Sequence, residues 1–172
     1  DLAMNLTFLG ELYRELGKYG PAKAILERSL AIYNKPSNSK DELIPRALVQ
    51  LGAVYRDLGD YKKAEQLGEK AYSIFRKEVP GTGIAMTLNF LGEVNGKLGN
   101  YIKARDFLIQ SQFFYNEFFS KKHLSLAKVN ACLGSVYKDL KNFEMAKKLI
   151  KESLSNYEKN LGQKHYLVAF LL

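Results

Sequence analysis

The sequence predicts an all-α fold made of antiparallel helix pairs stacked in a row. Three observations carry that expectation. The pair Leu-Gly recurs at Leu9-Gly10, Leu51-Gly52, Leu91-Gly92 and Leu133-Gly134, at intervals of 42, 40 and 42 residues. Within each interval the apolar residues fall at helical spacings of three and four. A short break, Gly-containing in three of the four units, divides each interval into two helix-length halves.

The elements follow in order. In the first unit Leu9-Gly10 leads to Tyr13, Leu16-Gly17-Lys18-Tyr19, Ala22 and Ser29, which places helices near 3–17 and 20–34. In the second, Leu48, Leu51, Gly52 and Tyr55 share one helical face, as do Tyr61, Ala64, Leu67, Ala71 and Ile74, giving helices near 43–58 and 61–77. Between them Gly59 suits a left-handed C-cap and Asp60 an N-cap. The third unit carries Asn95 in place of Tyr, then Leu98-Gly99-Asn100-Tyr101, Ala104 and Ser111, with helices near 84–98 and 101–118. The fourth runs through Tyr137, Leu140-Lys141-Asn142-Phe143, Ala146 and Ser153, with helices near 124–140 and 143–160.

Repeats are therefore expected at 3–42, 43–82, 83–124 and 125–164, with 165–172 the start of a fifth, in one array spanning 1–172. No unit can bury its apolar face alone, so stacked neighbours share an elongated core. In the fifth unit Leu167, Val168, Phe170 and Leu171 lack a partner helix, and the native protein is expected to continue beyond Leu172.

Leu-Gly, then Tyr, then Ala at these offsets resembles the tetratricopeptide repeat family across nearly the whole chain. The 42-residue unit is longer than the usual one of about 34 and looks like the kinesin light chain class, in which a Gly-x-x-His linker precedes the next first helix. Gly162-Gln163-Lys164-His165 matches that linker, with Tyr166 where Pro is common; His123 lacks the Gly, and Pro80-Gly81-Thr82-Gly83 has no His. The resemblance implies a right-handed α-α superhelix whose first helices line a concave groove.

Composition limits the alternatives. A chain of 172 residues with 47% hydrophobic content can bury a core. It contains no apolar run near the roughly 20 residues that a membrane helix needs, and no secretion leader is visible. The single Cys132 excludes an internal disulfide and favours the cytoplasm. The net charge of +8 raises acidic partners, but it is unevenly placed. Residues 1–86 hold 13 Lys+Arg against 11 Asp+Glu, and residues 87–172 hold 13 against 7. Most of the surplus is expected on outer or end surfaces, at Lys121, Lys122, Lys141, Lys147, Lys148, Lys151, Lys159 and Lys164. The charge therefore says little about what the groove binds and fits a solvated convex face or a secondary acidic contact there; nucleic acid is not the expected partner.

No catalytic, cofactor or metal site is expected. His123 and His165 occupy equivalent linkers, and stacked two-helix units hold equivalent atoms roughly 20 Å apart, too far to share an ion. Cys132 has no His-Asn or His-Asp companion at a recognisable spacing. Pro80-Gly81-Thr82-Gly83 follows a helix and lacks the Lys of a phosphate loop. Glu11 and Glu15 read as a solvated face, since nothing separates their environments for acid and base roles.

The groove is then located from the helical wheel, opposite Leu48, Leu51 and Tyr55. It comprises Met4, Phe8, Glu11 and Arg14 in the first unit, Arg46, Gln50 and Arg56 in the second, Met86, Asn89, Phe90, Glu93 and Lys97 in the third, and Lys128, Ser135 and Lys138 in the fourth. Aromatic and thioether side chains suit an apolar anchor. The cations suit carboxylates and Asn89 an extended main chain. Alternatively, Phe8 and Phe90 fill gaps between adjacent first helices. The aromatic run of Phe113, Phe114, Tyr115, Phe118 and Phe119 is expected mainly in the inter-repeat core.

The function expected from this reading is a non-catalytic scaffold that binds a peptide or helix of another protein, with acidic and apolar side chains, in the groove. The alternative is a regulatory or sensor arm of a larger signalling ATPase or transcription regulator.

Overall fold

The computed structural model describes residues 2–34, 43–76, 81–118 and 124–161. These residues form eight α-helices and no strand: α1 (Leu2–Glu15), α2 (Tyr19–Tyr33), α3 (Ile44–Asp57), α4 (Tyr61–Phe75), α5 (Thr82–Lys97), α6 (Tyr101–Phe118), α7 (Leu124–Asp139) and α8 (Phe143–Leu161). The expected helix at 166–172, both histidines, Phe119, Lys121, Lys122 and Lys164 lie outside the described residues. Contacts divide the chain into two compact units, Asp1–Gly83 and Ile84–Leu172.

The turn inside each pair is built the same way four times. The amide of Asp60 donates to Tyr55 O at 2.9 Å and that of Gly59 to Arg56 O at 2.9 Å, satisfying carbonyls that the end of α3 leaves open. Gly59 sits at φ +83°, where a side chain is strained, and the Asp60 carboxylate accepts from Lys63 N at 3.1 Å to start α4. In the fourth pair the left-handed position is taken by Lys141 at φ +63°. Asn142 caps the next helix there, accepting from Met145 N at 3.1 Å.

Two further repeat positions explain how the helices of a pair approach. A Cβ placed on Gly10, Gly92 or Gly134 would run into the side chain of Leu26, Leu108 or Ile150, so the first helix must be bare at this point. One turn further along the second helix, Ser29, Ser111 and Ser153 each donate a hydroxyl to the carbonyl of a first-helix alanine: Ala3 at 2.6 Å, Ala85 at 2.7 Å and Ala127 at 2.7 Å. The second pair has Ala71 and Pro45 at these places and lacks the bond.

In unit 1, α2 packs on α1 and α3, and α3 on α4. Ala22, Leu26, Leu51 and Val54 form its core, flanked by Tyr13, Leu30, Tyr55 and Leu67. In unit 2 the core gathers Ala85, Ala104, Leu108 and Tyr115 with Leu126, Val129, Leu133, Val136 and Leu149. Burial raises the Tyr115 phenol above its ordinary value, against which a hydrogen bond with Ser125 works. Tyr33 in unit 1 is raised in the same way.

The aromatic run on α6 divides. Tyr115 is buried and Phe114 packs against the core, but Phe113 and Phe118 are 59% and 49% exposed. Only the α6 stripe that holds Ala104, Leu108, Ser111 and Tyr115 faces the core, and Phe113 lies on the far side of the helix from it.

Candidate functional site

The cations and carboxylates of the first helices meet in pairs within each unit. In unit 1, Arg46 on α3 reaches back to Glu11 on α1, Nη2 to Oε2 at 3.4 Å, and its guanidinium carbon lies 4.5 Å from the centre of the Phe8 ring. Phe8 is 44% exposed and Met4 half-buried beside it on the same helical face. One turn on, Arg14 Nη1 donates to Asp57 Oδ2 at 2.9 Å, while Arg56 donates to Oδ1 of the same carboxylate through Nε at 2.9 Å and Nη2 at 2.8 Å. Two guanidiniums thus converge on Asp57, and Arg14 Nε is buried with no partner among the described residues.

Unit 2 repeats the first pairing. Lys128 Nζ on α7 lies 2.9 Å from Glu93 Oε1 on α5, and residues 93 and 128 are separated by the same 35 positions as 11 and 46. The same oxygen accepts from Asn89 Nδ2 at 2.8 Å and from the Cys132 thiol at 3.8 Å. Asn89 Oδ1 is buried and has no partner among the described residues. Met86 is 53% exposed on this face. Lys97, Ser135 and Lys138 are exposed and line a groove of about 810 Å³ with Cys132, Ile150 and Leu154.

Three expected groove residues need correction. Gln50, Asn89 and Phe90 are 8%, 7% and 5% exposed, and so belong to the packed side rather than the open face. The wheel treats a first helix as buried on one stripe, whereas α3 meets α1, α2 and α4, and α5 bonds to both α6 and α7. Phe90 therefore takes the packing role and Phe8 the exposed one. Asp57 was read on the same face of α3 as Arg46, but its pairing with two arginines was not. The signal for it was that Arg14 and Arg56 occupy equivalent repeat positions, 42 residues apart, with Asp57 following the second.

Helix pairs closed by one recurring turn, with a Gly contact and a Ser-to-carbonyl bond repeated in the first, third and fourth, make this a helical-repeat protein. The sequence profile of the tetratricopeptide repeat matches residues 5–36, 43–117 and 83–159, and the chain belongs to that family. No curated protein matches it in sequence. Among solved structures, the apo form of RapI is 19% identical, with a TM-score of 0.81 over 91% of this chain and 56% of its own. Cut9, in the APC/C hetero-tetramer Cut9-Hcn1, is 24% identical, with a TM-score of 0.76 over 100% of this chain and 30% of its own. Nearly identical TPR-like repeats assigned to a kinesin light chain of Podospora anserina are 18% identical, with a TM-score of 0.74 over 97% of this chain and 80% of theirs. The chain thus spans about half of RapI and less than a third of Cut9. No described helix is long and apolar enough to cross a membrane.

Proposed function

We propose that the chain is a non-catalytic protein-interaction module, working in the cytoplasm, whose first-helix faces bind a peptide or helix of a partner protein. The observation that carries the reading is the exposed Phe8 ring with Arg46 stacked on it, beside two arginines that share one carboxylate. An aromatic ring backed by a guanidinium offers a flat apolar seat with a polar rim, the composition of binding hot spots. Arg14, whose Nε has no partner among the described residues, and the half-exposed Arg46 present guanidiniums on this face, which suits a carboxylate of the partner. In unit 2, Met86 supplies the apolar contact and Lys97 and Lys138 the cations. Cut9, which is similar in fold and forms a hetero-tetramer with Hcn1, supports a protein as the partner class.

The test is affinity capture of partners on the intact protein, followed by titration of the recovered binding segment against Phe8→Ala and Arg46→Glu variants. A loss of about tenfold or more in each, roughly 1.4 kcal/mol, is expected. Unchanged binding by both variants overturns the assignment of the face.

A further inference from the structure

The side of unit 2 formed by its second helices departs from the repeat. At the position of Gln112 the other repeats place Leu30, Tyr72 and Leu154, and at the position of Asn130 they place Leu6, Leu48 and Leu88. Leu48 and Leu88 are 2% and 0% exposed. In unit 2 the Gln112 amide on α6 instead donates to Asn130 Oδ1 on α7 at 2.7 Å, with Asn130 only 7% exposed. Burial of a leucine side chain contributes more than a neutral hydrogen bond nets. The amide pair is therefore a costly way to join two repeats.

Nor is the pair sealed in. It forms the floor of a groove of about 680 Å³ between α6 and α8, whose walls carry Asn116, Lys151, Ser155 and Lys159. Among the described lining residues Glu152 is the one carboxylate. Lys151 and Lys159 are exposed, and neither is ion-paired among the described residues. Carboxamides offer a donor and an acceptor on one planar group, the complement of a main-chain amide, while two ammonium groups favour a carboxylate.

We propose that this groove is a second binding site, which takes an extended polypeptide segment bearing an acidic side chain. Gln112 and Asn116 pair with its main chain, and Lys151 and Lys159 with its carboxylate. An apolar floor strands the main-chain polar groups of an extended ligand, and the amide floor satisfies them. The site contains none of Phe8, Arg46 and Glu93, although Lys151 also borders the groove of Lys97 and Lys138; Asn116 and the Gln112–Asn130 floor belong to this groove and not to that one, so changes there test it separately from the function proposed above.

The probe is a displayed library of acidic 12-residue peptides selected on the intact chain, with affinities read by fluorescence anisotropy. Selected peptides are expected to bind wild type and Phe8→Ala equally. They should lose at least about tenfold in the Lys151→Glu/Lys159→Glu variant, whose exposed sites leave the thermal melt unchanged, and lose affinity in Asn116→Ala. The Gln112→Leu/Asn130→Leu variant is expected to fold and to bind the same peptides about tenfold more weakly. A library that returns no binder, binders indifferent to the lysine reversals, or full affinity on the leucine floor each overturns the proposal.

Discussion

The interface of α2 with α3 in unit 1 and that of α6 with α7 in unit 2 use the same register with opposite chemistry. In unit 1, Leu30 packs onto the apolar core and Leu48, eighteen residues later, is buried. In unit 2 the equivalent places hold the Gln112–Asn130 amide pair. The pairs α1–α2 and α5–α6 that lead into these interfaces both keep the Gly contact and the Ser-to-alanine bond. What holds these two pairs together is thus the same, while what joins each to the next pair differs. Surfaces that can change without losing the fold are where recognition is expected to appear.

The comparison breaks first if the shared contacts are not what hold the pairs. Leu26 and Leu108 are both fully buried against a bare glycine. Leu26→Ala and Leu108→Ala should each cost about 2–5 kcal/mol in urea unfolding, and a loss in only one of them would deny the equivalence of the units. The next effect separates the two interfaces. Asn130→Leu alone strands the Gln112 amide and should cost about 1–3 kcal/mol, whereas Gln112→Leu/Asn130→Leu should be more stable than wild type. A double-mutant cycle reads the coupling, and additive losses would show that the two amides do not act as a pair.

A smaller effect sharpens the account of the turns. Lys141→Gly relieves a left-handed side chain and should add about 1 kcal/mol, while Gly59→Ala should remove a similar amount; equal melting temperatures for both would refute the strain. The smallest concerns alkaline pH. Tyr33 and Tyr115 have phenols raised by burial, so their contribution to stability is complete below the ordinary tyrosine value near 10 and falls as pH rises through their higher folded values. Stability that stays flat from pH 9 to 12 would contradict that burial.

Much of the fold was legible in residue order. The 42-residue period, the Gly59 turn and the Asp60 cap depend on local backbone chemistry, and the helices end within a few residues of their expected limits. The recurring serine was visible as a pattern, but its acceptor, 26 residues earlier on another helix, was not. The candidate site was read less well. Arg46 meets Phe8 and Glu11, and Arg14 and Arg56 meet at Asp57, yet Gln50, Asn89 and Phe90 are buried.

Periodicity along one helix records which stripe is apolar, because that stripe answers to a partner present in every repeat. It established helix pairs, their order and their family resemblance. Which guanidinium shares Asp57, which ring Arg46 covers and which two amides replace a pair of leucines depend on helices brought side by side from about 20 to 40 residues away. Those neighbours are set by the packing distance of helices, about 8–10 Å, and no single helix carries a record of them.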